Sequence, residues 1–230
     1  MTGPRRIVIT IDGPAGAGKS TVSRLLAERL GYLYMDTGAM YRAVAVLARD
    51  RSRENPLDEA VLSEICGALD LHMRSDGGGM GLLVNGRDLT EEIRRPEISA
   101  LASAVSTKAV VRRRLAEIQR QLGAVGGIVA EGRDMGTVVF PQAEVKFFLD
   151  ARPEVRGERR YLELAAKGEQ ATLREVSEQL SARDHNDQDR ELAPLKPAAD
   201  AILIDSTELK VEEVVELMVR LIVERGGEKL

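Results

Sequence analysis

The run Gly13-Pro14-Ala15-Gly16-Ala17-Gly18-Lys19-Ser20, followed by Thr21, has the spacing G-x-x-x-x-G-K-S/T. Such a loop wraps backbone N–H groups around a phosphate, and its glycines keep Cβ atoms out of the way of that approach. Lys19 supplies a point charge for β- and γ-phosphates, and the Ser20 hydroxyl can ligate Mg²⁺ where the positive end of a helix begins. The chemistry requires a strand before the loop and a helix after it. Both are legible: the β-branched segment Arg5 to Asp12 precedes it, and Val22, Leu25, Leu26 and Leu30 follow at helical spacing. These residues imply binding of a nucleoside triphosphate.

A second set could receive a phosphoryl group. Glu131-Gly132-Arg133-Asp134 follows an apolar strand-like segment, so Arg133 and Asp134 are expected at the rim where the strands end. Glu131, closing that strand, could hold Mg²⁺ directly or through water. Arg183, Asp187 and Arg190 share one face of a helix expected to start at the capping box Thr172-Leu173-Arg174-Glu175. That face is read either as an ion-paired surface or as part of a site. Arg42 lies one turn into a helix that Thr37 could cap, and can point back toward the strand ends. Of Arg112, Arg113, Arg114 and the later Arg120, most are expected to be solvated, with at most one or two turned inward. His72 and His185 have no partner at metal-ligand spacing, which makes both structural or solvent-facing.

The elements that must position these residues alternate. Short apolar strands are expected at 5–12, 32–36, 127–131, 145–150 and 201–204, the last of them buried, and helices between and after them. Five such strands alternating with helices imply an α/β fold: a P-loop three-layer α/β/α sandwich with a five-stranded parallel sheet. Asp12, Asp36, Glu131, Asp150 and Asp205 all fall at strand ends, the edge where ligands bind such sheets. Asp70 to Arg74 and Leu82 to Val84, followed by the hairpin signal Asn85-Gly86, interrupt the alternation as a small antiparallel insert. Pro96 opens a long helical region reaching Leu122, with a break expected near Ser106 and Thr107.

Composition narrows the partners. The chain has 230 residues, 43% hydrophobic and 30% charged, with a formal net charge of −4, which describes a soluble globular protein. That charge, with four tyrosines, three phenylalanines and no tryptophan, argues against a nucleic-acid binder. Cys66 is the one cysteine, so no intrachain disulfide can form, in keeping with a reducing cytoplasm. The apolar run Ile7 to Ile11 is too short for a signal peptide or a membrane span, so no membrane association is expected. No surplus apolar helix face is evident, which makes a monomer the default.

Taken together, I-D-G-P-A-G-A-G-K-S-T (Ile11 to Thr21), D-T-G-A-M-Y-R (Asp36 to Arg42), I-R-R-P-E (Ile93 to Glu97), E-G-R-D-M-G-T-V-V-F-P (Glu131 to Pro141), R-D-x-x-D-x-x-R (Arg183 to Arg190) and A-P-L-x-P-A-A-D-A (Ala193 to Ala201) resemble the bacterial cytidylate kinases among the nucleoside monophosphate kinases. The resemblance covers essentially the whole chain. It implies an enzyme, a cytoplasmic transferase of pyrimidine metabolism that moves the ATP γ-phosphoryl group to CMP or dCMP with Mg²⁺. It also implies a core at 1–36, 107–154 and 191–230, a monophosphate-binding region at 37–106 and a helical lid at 155–190. By motif match, Gly13 to Thr21 would bind ATP, with Ser20 and Glu131 on the metal. Lys19, Arg42, Arg133 and Arg183 would serve catalysis, the three arginines by holding phosphates. Thr37, Arg112, Asp134 and Arg190 would surround the base, and Ser103 and Asp187 would contact the ribose. Thr37 stands where the family often has Ser, and Glu131 where Asp is more usual.

Two other classes stay open on the residues. One is a P-loop kinase for AMP, shikimate or dephospho-coenzyme A, although the D-G-F-P-R signature of adenylate kinases is absent. The other is a nucleotide-dependent switch. Its N/T-K-x-D motif has no better match than Thr107-Lys108-Ala109-Val110, which lacks the Asp.

Overall fold

The structure is a computed structural model that describes residues 6–75, 80–166 and 168–226. It divides into two compact units, residues 1–35 with 123–230, and residues 36–122.

The first unit is built on five parallel strands. They are β1 (Val8–Asp12), β2 (Leu33–Asp36), β6 (Ile128–Gly132), β7 (Val145–Asp150) and β8 (Ile202–Asp205), in the order β2-β6-β1-β7-β8. β1 lies at the centre, with Ile11 opposite Glu131 on one side and Phe147 on the other. Its Ile9, Thr10 and Ile11 are all fully buried, which is why β1 reads as an unbroken apolar run and not as an alternating one. Helices α1 (Lys19–Leu30) and α8 (Val211–Gly226) lay Val22 and Leu26, and Val214, Met218 and Ile222, into the same core as Ile9, Phe147 and Leu149. The i, i+4 spacing of these side chains puts them on one stripe of each helix. Helices α6 (Pro153–Ala166) and α7 (Leu173–Asp189) pack on each other, and the expected capping box at Thr172 is complete, with reciprocal bonds to Glu175.

The last strand is less buried than its sequence suggests. Among the described residues β8 pairs only with β7, and its Leu203 is 68% exposed. An edge strand has a neighbouring strand on one side only, so the layers over its faces can leave it partly open and an apolar residue can point outward there without a sequence signal to announce it.

The second unit contains α2 (Thr37–Arg51), α3 (Glu59–Gly67), α4 (Pro96–Val105) and α5 (Ala109–Gly123), with the antiparallel strands β3 (Leu71–Ser75), β4 (Met80–Val84) and β5 (Arg87–Asp88). Met40, Val44, Leu62, Leu82, Leu89, Ile98 and Leu115 share its core. Asn85 and Gly86 take φ of 51° and 77°, the left-handed pair that the two-residue hairpin demands. Residues 76–79, between the first two strands of the expected insert, lie outside the described residues, as does Arg5. Asp36, not Thr37, caps α2, its carboxylate accepting from Ala39 N–H at 2.9 Å. An Asp one residue before the first helical turn reaches that N–H, whereas Thr37 already lies within the turn. The break between α4 and α5 falls at Ser106 to Lys108, as expected.

Among the described residues no helix is long and apolar enough to cross a membrane. The fold is the expected P-loop α/β type. Phe147 is among the largest fully buried side chains, packed beside β1. Phe147→Ala is expected to cost about 3–5 kcal/mol of stability, read as a lower urea midpoint in equilibrium unfolding.

Candidate functional site

The phosphate loop leaves β1 at Gly13 with no room for a side chain. A Cβ there would lie 2.0 Å from the Leu149 carbonyl oxygen, and φ is +148°. The loop thus hugs the end of β7 and turns into α1 at Gly18, while Ser20 and Thr21 stay exposed at the helix start. Lys19 is buried and folds back, its Nζ donating to the Pro14 carbonyl at 2.6 Å. Its pKa is lowered to about 7, first by burial and then by the charges of Arg133 and Arg183, while Glu131 and Asp12 oppose the shift. Three cations therefore act on one another at the loop, together with two carboxylates.

The turn after β6 carries the second set. Glu131 is buried, and its Oε1 accepts from the Tyr34 hydroxyl at 2.7 Å. Arg133 Nε donates to Asp187 Oδ2 at 2.9 Å, and Arg190 Nη1 lies 3.6 Å from Asp187 Oδ1. Arg190 Nη2 lies 3.8 Å from Asp134 Oδ1. Asp134, Asp187 and Arg190 side chains are each at most 7% exposed, far below what a solvated helix face would show. Arg190 itself ends α7, its Nε donating to the Ala193 carbonyl at 2.6 Å. On this helix face Asp187 and Arg190 are therefore buried ion-pairing groups and not solvated ones.

The second unit positions its own candidates. Arg42 Nη2 donates to Asp36 Oδ2 at 2.9 Å, so the acid that caps α2 also turns Arg42 back toward the helix start. Thr37 is buried. The Arg112 guanidinium stacks over the Tyr41 ring, 5.7 Å from its centre, and donates to the Ser106 carbonyl at 3.0 Å. Ser103, half-buried on α4, offers its carbonyl to the Ser106 hydroxyl at 2.7 Å.

The Cytidylate kinase family profile matches residues 9–224. The chain belongs to the cytidylate kinase family. It is 55% identical over 219 residues to the cytidylate kinase of Geobacter sp. (strain M21), covering 95% of this chain and 94% of that one. It is 50% identical over 223 residues to the cytidylate kinase of Geobacter sulfurreducens, covering 97% and 95%. Among solved structures, the shikimate kinase of Bacteroides thetaiotaomicron aligns with a TM-score of 0.50 at 15% identity, over 94% of this chain and 98% of that one. That likeness concerns the fold alone.

Within this chain the structure adds residues that sequence reading did not single out. Arg156 Nη1 donates to the Ala15 carbonyl at 3.1 Å and pairs with Asp184, whose Oδ1 accepts from the Ala15 N–H at 3.2 Å. Helices α6 and α7 thereby hold both backbone groups of one phosphate-loop residue. Arg159 donates to the Ser206 hydroxyl and carbonyl at 3.0 and 2.7 Å. In sequence, Arg156 and Asp184 look like ordinary helix-surface charges 28 positions apart. The five strand-end acids also separate. Asp150 and Asp205 accept from the nearby N–H groups of Ala151 and Thr207, whereas Asp12 and Glu131 are buried.

Asp12 is raised to about 6, first by burial and also by the charge of Asp134, against bonds from Gly136 and Met135 and the charge of Lys19. Its folded pKa lies above the 3.8 of the unfolded chain, so its contribution to stability is fully present below 3.8 and is lost as pH rises through about 6. Thermal unfolding of wild type and Asp12→Asn should therefore show the variant gaining relative to wild type between about pH 4 and about pH 6, and levelling off above. A difference in Tm that is flat over that range would contradict the shift.

Proposed function

We propose that the protein catalyses transfer of the ATP γ-phosphoryl group to CMP or dCMP, forming ADP and CDP or dCDP. The observation that carries this reading is Lys19, buried at the start of α1 with its Nζ turned back onto the Pro14 carbonyl of the glycine loop, where the charges of Arg133 and Arg183 also reach it. Like charges brought together without water are unfavourable until a polyanion arrives, and a transferring phosphoryl group with its donor chain is such a polyanion. Membership of the cytidylate kinase family supports the acceptor.

In this reading Gly13 to Thr21 cradle the triphosphate, and Lys19 exchanges its bond to the Pro14 carbonyl for phosphate oxygens. Arg133 and Arg183, with Arg42, neutralise the transferring group and the acceptor phosphate. The hydroxyl of Ser20 and the carboxylate of Glu131 are hard oxygen donors that suit Mg²⁺. Among the described residues no group of three or more His, Cys, Asp or Glu could hold a metal by itself, which fits an ion held largely by phosphates and water. When bound, Mg²⁺ would offset phosphate charge, with the Ser20 hydroxyl and the Glu131 carboxylate as the residues that would hold it. The 37–106 segment would hold the monophosphate, and 155–190 would act as a lid that excludes water. The protein would act in the cytoplasm, as a monomer, without nucleic acid as partner.

Cytosine presents O2 and N3 as acceptors and N4–H₂ as a donor. Arg112 and Arg190 suit the first edge, and Asp134 with the Thr37 hydroxyl suits the second; Ser103 and Asp187 would contact the ribose. Uracil would set O4 against the Asp134 carboxylate, leaving buried polar groups unpaired.

Lys19→Ala is expected to lower kcat by at least about 10²- to 10³-fold, measured as CMP-dependent ADP release; near-normal turnover would overturn the mechanism. Asp134→Ala should narrow the CMP to UMP ratio of kcat/KM by about 10- to 100-fold, the equivalent of one unpaired buried group at roughly 1–3 kcal/mol. An unchanged ratio would remove Asp134 from the base pocket. ADP release that is slow and indifferent to acceptor would favour a switch protein instead.

A further inference from the structure

β1 ends at Asp12, one residue before the phosphate loop begins. Its carboxylate, in a residue only 3% exposed, accepts two consecutive backbone N–H groups: Met135 at 2.9 Å and Gly136 at 2.8 Å. Those residues open a π-helical turn, Met135–Val139, directly after Arg133 and Asp134. The first N–H groups of any helical turn lack partners within it, and the residue just before the turn ordinarily supplies one from its own side chain.

Asp134 occupies that position and is a residue type suited to capping. Yet its side chain makes no capping bond; it is turned toward Arg190. The capping is done from another strand. Gly136 allows this, because a Cβ there would lie 3.0 Å from Thr10 Oγ1, 3.2 Å from Lys146 Cδ and 3.4 Å from Asp12 Oδ2. The turn is thus seated on β1 and β7 with Asp12 as its pin. The arrangement is costly, since Asp12 is a buried acid near a second acid, Asp134.

We propose that Asp12 is a positioning residue for the acceptor nucleotide. By capping the 135–139 turn from the end of β1, it holds Arg133 and Asp134 in register with the phosphate loop and releases the Asp134 carboxylate from capping its own turn. The inference rests on the reading of Arg133 as a phosphate ligand and Asp134 as a base contact. It adds the residue that lets both act, and it links the donor loop to the acceptor-reading turn through one side chain.

Asp12→Asn keeps the shape but replaces one acceptor oxygen by an amide that cannot accept. Asp134 then becomes the alternative cap. Steady-state kinetics with CMP, UMP and ATP on Asp12→Asn, Gly136→Ala and Asp134→Ala test this. Asp12→Asn is expected to raise the KM for CMP about tenfold and to shrink the CMP to UMP ratio at least about fivefold; the KM for ATP is compared on Gly136→Ala, which keeps the Asp12 charge that acts on Lys19, and is expected within about twofold of wild type there. Gly136→Ala, which pushes the turn away from Asp12 without touching the carboxylate, should give the same two acceptor changes, and it carries the test should Asp12→Asn not fold. A folded variant with wild-type acceptor KM and ratio overturns the proposal. So does an equal rise in the KM for ATP in Gly136→Ala, which is what general loosening would produce. If Asp134→Ala leaves the ratio unchanged, the base reading has failed; the positioning role then stands or falls on the acceptor KM, through Arg133.

Discussion

Burying a lysine beside two arginines is the constraint around which the first unit is organised. An ammonium removed from water loses hydration, and each neighbouring cation adds to the loss, so Lys19 falls to about 7. What holds the group in place is local: the Pro14 carbonyl accepts its Nζ, and Glu131 and Asp12 stand at the ends of the two central strands. The parallel sheet makes this possible, because it brings the C-terminal ends of β1, β6 and β7 together at one edge. A phosphate chain is the natural counter-charge for such a site.

The carboxylates of α7 serve the same electrostatics from the opposite side. Asp187 neutralises Arg133 and Arg190, and Asp184 neutralises Arg156, all with little exposure to water. Buried pairs of this kind add little net stability, because desolvation offsets much of the attraction, but losing one partner strands a charge. Their consequence here is geometric. The guanidinium groups are held in direction by carboxylates of the chain itself, and the Ala15 backbone is gripped by helices far from it in sequence. In the second unit the same economy has Asp36 cap α2 and orient Arg42 with one carboxylate.

Much of the fold could be read from local chemistry. The central strands are apolar on both faces, the helix stripes recur at three and four, Asn85-Gly86 turns a hairpin, and Thr172 with Glu175 starts a helix. These signals act within a few residues, so they survive without tertiary context. The exposure of Leu203 did not follow from them, because being at a sheet edge is a property of strand order. The capping of α2 by Asp36 instead of Thr37 depended on a single backbone step, finer than residue preferences resolve.

For the site, the sequence by itself determined the kinds of groups available and the strand ends that carry them: the loop from Gly13 to Ser20, the Arg133-Asp134 turn, and a helix face of Arg183, Asp187 and Arg190. It determined these because glycine loops and strand-to-turn steps are local in the chain. Only the tertiary structure decided which charges meet. The pairs Arg133–Asp187 and Arg156–Asp184, and the Asp12 carboxylate on the Met135 and Gly136 N–H groups, join residues 28 to 124 positions apart. Burial then decided what those charges are worth, turning strand-end and helix-face acids that look solvated in sequence into the groups that hold the site in shape. Distance and desolvation set electrostatic energy, and neither is written in the order of the residues.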